Sequence, residues 1–222
     1  MPSLLYCVTR TTPNALPDII GVCDEVVRSH ESSGLRIYWS DLAHPGTISE
    51  GPARKAADQK YHHVLREVVA HTTPIPFPFP AVLPDLESVD KLIADERTQY
   101  VSDLTRLAET IQYDLSATWA ADDQSDLATP VSGREYLKRR EEAEARIAAI
   151  DTKLKTVTAG VVREWRSRQD RRKHLWFALM SRDDRERFLA ALRSAGPSEG
   201  VRLRLSGPWP PSVFLTSQSE PR

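Results

Sequence analysis

The period of hydrophobic and polar positions changes several times along the chain, and each change predicts an element. Leu4-Leu5-Tyr6-Cys7-Val8 is a short apolar run ended by polar residues and Pro13, which predicts a buried strand. Ile19, Cys23, Val26 and Val27 fall at helical spacing before Ser32-Ser33-Gly34 and predict a helix. Leu35, Ile37 and Trp39 share one face of a second strand. After turn chemistry from His44 to Pro52, one stripe of a helix carries Ala53, Ala57, Tyr61, Val64, Leu65 and Val68.

From Pro74 to Pro80, prolines alternate with Ile75, Phe77 and Phe79. In an extended strand this puts every proline on one face and aims every missing N–H at one lateral edge. Such a strand pairs on one side only, which guards against sheet-to-sheet aggregation. A polyproline-like ribbon is the competing local reading.

Asp85 is the expected N-cap of a helix whose seam is Leu86, Val89, Ile93, Tyr100, Leu104 and Leu107. A half-buried strand follows through Ile111, Tyr113, Leu115, Ala117 and Trp119, then an acidic, turn-prone loop from Asp122 to Pro130. Ser132 and Glu135 have capping-box spacing, with Val131 placed to staple onto Tyr136. The seam from Tyr136 through Arg140, Ala143, Ile147, Ile150, Leu154, Val157 and Val161 steps by fours and threes. Continued to about Arg168, that helix would be roughly 50 Å long and would pair antiparallel with the Asp85 helix. His174 to Met180 reads as a strand, Ser181 as a helix cap before Phe188, Leu189 and Leu192, and Gly196-Pro197 as its stop. Val201, Leu203 and Leu205 alternate with Arg202, Arg204 and Ser206 in a last strand. Gly207-Pro208-Trp209-Pro210-Pro211 is expected to be irregular, and the tail from Thr216 to Arg222 to be frayed.

The predicted class is α+β, with two small sheet-plus-helix halves of ferredoxin-like character and a long antiparallel helical pair. The expected division is an N-terminal ferredoxin-like domain, 1–84, and a C-terminal α+β domain with the helical pair, 85–222.

Composition narrows the function classes. The 222 residues carry 30 Lys and Arg against 31 Asp and Glu, a formal charge of −1. That balance argues against a domain built to grip nucleic acid. No apolar run approaches the roughly 20 residues that span a bilayer, and no signal-peptide pattern opens the chain. Cys7 and Cys23 match no zinc or C-x-x-C spacing and read as reduced, core-packed thiols of a cytoplasmic protein.

Phosphate-loop, dinucleotide-binding and serine-elbow motifs are absent. His62 and His63 are adjacent, about 100° apart on a helix, and do not make an i, i+4 metal pair; with His71 they read as helix-surface histidines. Lys138, Arg139 and Arg140 beside Glu141, Glu142 and Glu144 read as a solvated face of ion pairs. The basic stretch Arg163 to Lys173, with Trp165, reads as a cationic helix C-terminus, a nucleic-acid or acidic-partner patch being the competing reading. No catalytic residue, metal site or cofactor is therefore expected. Trp209, held between turn formers, reads either as a core plug or as a partner anchor.

Several segments together resemble the gas vesicle accessory family GvpL/GvpF. They are Leu5-Tyr6-Cys7-Val8, Tyr61-His62-His63-Val64-Leu65 with Pro74 to Phe77, the strand ending at Trp119, Gly133-Arg134-Glu135-Tyr136-Leu137, and above all Gly207-Pro208-Trp209-Pro210-Pro211 before Phe214. Two positions depart from the family pattern. Pro74-Ile75-Pro76-Phe77-Pro78 stands where Pro-x-Arg-Phe-Gly is usual, and Ser212 where an aromatic is usual. The resemblance implies a non-enzymatic role in gas vesicle formation, with contact to the hydrophobic shell protein or other accessory proteins. It implies a cytoplasmic protein, in contact with the vesicle, and neither nucleic acid nor membrane as partner. Phe77, Phe79 and the residues from Gly207 to Pro211 are its candidate interaction positions. The alternative is a small-molecule-binding or regulatory module, since a ferredoxin-like sheet does not fix function.

Overall fold

The computed structural model describes residues 1–11, 18–43, 45–48, 50–119, 133–170, 173–196 and 201–216. The acidic loop from Asp122 to Pro130, Ser132 of the expected capping box, its Val131 staple, and the tail 217–222 lie outside the described residues. The chain is α+β, with four helices and two four-stranded sheets among the described residues. It divides into two compact units, 1–111 with 208–222, and 112–207.

In the first unit the strands are β1 (Ser3–Arg10), β2 (Arg28–Ser32), β3 (Leu35–Asp41) and β4 (Ile75–Leu83), in the order β2-β3-β1-β4. β1 pairs antiparallel with both β3 and β4, and β2 antiparallel with β3. Helix α1 (Gly51–His71) covers one face, where Ala57, Tyr61, Val64, Leu65 and Val68 pack with Leu4, Tyr6 and Tyr38. Alternation along β3, together with the β1 bulge between Leu5 and Cys7, turns Leu5, Val8, Ile37 and Trp39 to the other face, and these too are buried. Helix α2 (Leu86–Arg106) covers that face, against β1, β2 and β4. As expected, Asp85 caps it, accepting the Ser88 N–H at 2.8 Å.

Three expectations change here. The helix foreseen from Ile19 to Val27 is a 3-10 turn at Val22–Asp24 that leads into β2. The Tyr6 hydroxyl accepts the Val22 N–H at 2.9 Å, and Cys23 and Asp24 take positive φ, so local bonds replace a helix with Gly21 inside it. Cys7 is buried, but Cys23 is exposed rather than packed. Both faces of the sheet carry a helix, and the described elements run β-β-β-α-β-α rather than β-α-β-β-α-β, although the antiparallel order β2-β3-β1-β4 is the one a ferredoxin-like sheet has. The boundary foreseen at 84/85 falls between β4 and the α2 that packs beside it.

The second unit holds β5 (Thr110–Trp119), α3 (Gly133–Val157), β6 (Val162–Asp170), β7 (Lys173–Ser181), α4 (Arg185–Ala195) and β8 (Val201–Trp209). Its sheet order is β6-β7-β5-β8, with β6 and β7 an antiparallel hairpin. Trp176, Met180 and Phe188 are fully buried in it. Trp176 donates from Nε1 to Asp151 at 3.1 Å, fixing α3 against β7.

The second long helix is shorter than expected. It ends at Val157, about 37 Å after its start at 1.5 Å per residue. Gly160 turns the chain at φ +75°, and the Val161 and Val162 N–H groups bond back to Thr158 O. In the basic stretch, Arg163 to Asp170 accordingly belong to strand β6 and Lys173 opens β7, in place of a helix end. The seam of α2 is used on its own sheet, and α3 packs with α4; the antiparallel α2–α3 pair is not confirmed. Ser181 makes no side-chain cap, because a 3-10 turn at Arg182–Asp184 intervenes before α4.

Candidate functional site

The proline-rich strand β4 lies at a sheet edge and pairs only with β1. Its ladder is broken. Pro76 lies opposite Cys7 and Ala81 opposite Leu5, so Phe77 to Pro80 face the single residue Tyr6. The bulge undoes the simple alternation that would put both phenylalanines on one face. Phe77 is buried and meets Tyr100 of α2, ring centroids 6.2 Å apart. Phe79 is half-buried against Tyr61 of α1 at 4.9 Å. The Tyr61 hydroxyl reaches both Tyr6 O and Phe77 O, pinning the bulge to α1.

One stripe of α1 connects the candidate positions. Arg54, Asp58, His62 and Arg66 recur every four residues on its outer face. Arg54 sits 4.7 Å over the Phe79 ring and donates to Phe79 O at 3.0 Å. His62 meets the edge of Trp209 at 5.8 Å, and Arg66 lies over the same ring at 5.9 Å. Arg54 and Arg66 are about 18 Å apart along the helix. Phe79 and Trp209 thus flank one aromatic and cationic strip, whereas Phe77 belongs to the opposite layer. His62 Nδ1 donates to Asp58 O at 2.8 Å, and His63 lies beside Glu67. Among the described residues no cluster of His, Cys, Asp or Glu has the geometry of a metal site.

Trp209 is half-buried on α1 and is not the core plug; that place belongs to Phe214, fully buried five residues on. Gly207 and Pro208 are not irregular but belong to β8. Gly207 has φ +136°, and a Cβ there would stand 2.9 Å from the Tyr113 ring and 3.0 Å from Gln112 O. Pro210 and Pro211 are buried and lead into a 3-10 turn at Ser212–Phe214.

The segment beyond is clamped by Asp103, which sequence reading passed over as one more polar residue of α2. Its buried carboxylate accepts from Thr216 Oγ1 at 2.6 Å, Gln99 Nε2 at 2.8 Å and Arg106 at 2.9 Å. Arg106 also donates to Phe214 O. Burial alone pushes the Asp103 carboxyl up, but these donors together hold it below the usual carboxylate value. A lone acid among the apolar seam positions of a helix was the available signal.

A family model described as "Gas vesicle synthesis protein GvpL/GvpF" matches residues 3–216. The chain belongs to the GvpL/GvpF family. Two crystal structures share the fold of this GvpL/GvpF member. Gas vesicle protein GvpF from Microcystis aeruginosa superimposes with a TM-score of 0.76 at 16% identity, over 97% of this chain and 99% of that one. GvpF from Anabaena sp. PCC7120 gives 0.78 at 16% identity, over 97% and 96%. A search of curated proteins finds no match. Among the described residues of this family member, no helix is long and apolar enough to cross a membrane.

Proposed function

We propose that this chain is a non-enzymatic accessory protein in gas vesicle formation. It acts in the cytoplasm by contacting the hydrophobic shell protein, other accessory proteins, or both. The family match over residues 3–216 carries this reading. The strip from Phe79 to Trp209 supports it, since half-buried aromatics beside cations are typical anchors of protein contacts. The proline-blocked, bulged edge of β4 guards the protein against self-association while it handles an aggregation-prone subunit. The order β-α-β-β-α-β with sheet order β6-β7-β5-β8 supports a ferredoxin-like reading of the second unit.

The test is co-expression with the host's small shell protein and affinity recovery of this chain, beside a Trp209→Ala variant checked by circular dichroism. Recovery of shell protein with the wild type, reduced at least about tenfold for the folded variant, is the expected result. Failure to recover soluble shell protein with the wild type would refute direct contact.

A further inference from the structure

The two sheets have four lateral edges, and three of them are defended. β2 is only five residues long and ends in polar and charged side chains, and His30 bonds Asp90 of α2 at 2.8 Å. β4 carries the prolines and the bulge. β6 reads Val-Arg-Glu-Trp-Arg-Ser-Arg-Gln-Asp, dense in charge. The fourth edge, β8, is different. From Val201 to Ser206 it has no proline, and its apolar residues alternate with Arg202, Arg204 and Ser206.

Those apolar residues do not complete a closed core. Val201, Leu203 and Leu205 line an open groove of about 480 Å³, with Ile150 and Leu154 of α3 and Leu189 of α4 on its other wall. Leu205 is 38% exposed. The rim is cationic, with Lys153, Arg193 and Arg202 around it and Arg204 further along β8. Among the described residues none of these four has a carboxylate partner.

We propose that β8 is a docking edge for an extended segment of a partner protein that alternates apolar and acidic residues. Cross-strand neighbours share a face of a sheet. Apolar residues opposite Leu203 and Leu205 enter the groove, and acidic residues opposite Arg202 and Arg204 meet those guanidinium groups. The partner backbone completes the free edge of β8, the mode by which strands are added to a sheet. The charge pattern selects an acidic partner, and the two-residue period of β8 selects a strand over a helix.

The inference goes beyond the gas vesicle reading and is tested without any vesicle component. A fluorescently labelled, end-capped peptide alternating leucine and glutamate is titrated into the purified full-length chain, with anisotropy as the readout. Three peptides run beside it: lysine in place of glutamate, alternate backbone amides methylated, and the same residues permuted to helical spacing. The alternating acidic peptide is expected to bind, and each of the others at least tenfold more weakly. The double variant Arg202→Glu, Arg204→Glu, changed only at exposed positions and checked by circular dichroism, is expected to lose the acidic peptide and gain the lysine one. No binding, equal binding of the methylated peptide, or preference for the helical permutation would each overturn the proposal. So would displacement of the peptide by a long-chain carboxylate with the double variant unaffected, which would mark the groove as a small-molecule site.

Discussion

Phe214→Ala isolates the return of the C-terminal segment to the first unit. The ring is fully buried, and the residue sits in a short turn whose backbone bonds, Phe214 N–H to Pro211 O and Phe214 O from Arg106, survive truncation. The loss is therefore chiefly the ring. A phenylalanine burying about 200 Å² at about 25 cal/mol per Å² sets an upper figure of about 5 kcal/mol. Alanine retains part of that area, and an unfilled site adds a cavity term, so the expected loss is about 3–4 kcal/mol. Urea denaturation followed by both far-UV and near-UV circular dichroism measures it, the two probes reporting backbone and packing separately. Leu205→Ala, at an exposed position of β8, is the matched control and is expected to stay within about 0.5 kcal/mol of wild type. A loss below about 1 kcal/mol for Phe214→Ala would refute the assignment of Phe214 to the core of the first unit.

Two further predictions rest on single contacts. The Asp103 carboxyl is pushed up by burial but held lower overall by Thr216, Arg106 and Gln99. Its folded value lies below its unfolded one, so its contribution is present above the ordinary aspartate range and is lost as pH falls through the folded value. Asp103→Asn should cost about 1–3 kcal/mol at neutral pH, and thermal melts across a pH series should show the gap closing in acid. Gly207→Ala meets both an unfavourable φ and the Tyr113 ring, so a loss of about 2–3 kcal/mol is expected in urea denaturation; an unchanged midpoint would contradict the close approach of β8 to β5.

Periodicity revealed most elements because burial enforces it. The stripe Ala57, Tyr61, Val64, Leu65, Val68 became the inner face of α1, and Asp85 became a cap because its carboxylate reaches the Ser88 N–H. The misreadings share a physical cause, namely a distant group that overrides a local pattern. Ile19 to Val27 has helical spacing, yet the Tyr6 hydroxyl, sixteen residues away, claims the Val22 N–H. Val161 sits in register with the α3 seam, but Gly160 had already ended the helix, and the apolar run of β7 gave Val162 to Asp170 a strand to pair with. The candidate site was legible only in part. Phe79 and Trp209 were visible as unusual residues in unusual contexts, while of the α1 stripe joining them only His62 stood out, as a helix-surface histidine. Asp103 gave only the signal of an acid on the seam of α2, because its decisive partner, Thr216, is set by the return of the C-terminal segment and not by local sequence.

The Gly207 to Pro211 motif that most resembles the family is, residue by residue, largely an architectural device. Gly207 permits the close pass of β8 over Tyr113, and Pro208 falls on an edge strand, where a missing N–H is tolerated. The chain leaves the second unit between Gly207 and Pro208. Pro210 and Pro211 are buried and aim the turn that seats Phe214, which Asp103 then locks through Thr216. Gly207, Pro208 and Trp209 keep partly open faces, and of these Trp209 meets the α1 stripe, beside His62 and Arg66. The buried Pro210 and Pro211 can therefore set the shape of the motif without touching any partner. Trp209→Ala and Phe79→Ala address recognition, whereas Gly207→Ala and Phe214→Ala address the fold. A partner that is lost with the first pair at unchanged stability, and lost with the second pair only in proportion to unfolding, separates the binding strip from the scaffold that presents it.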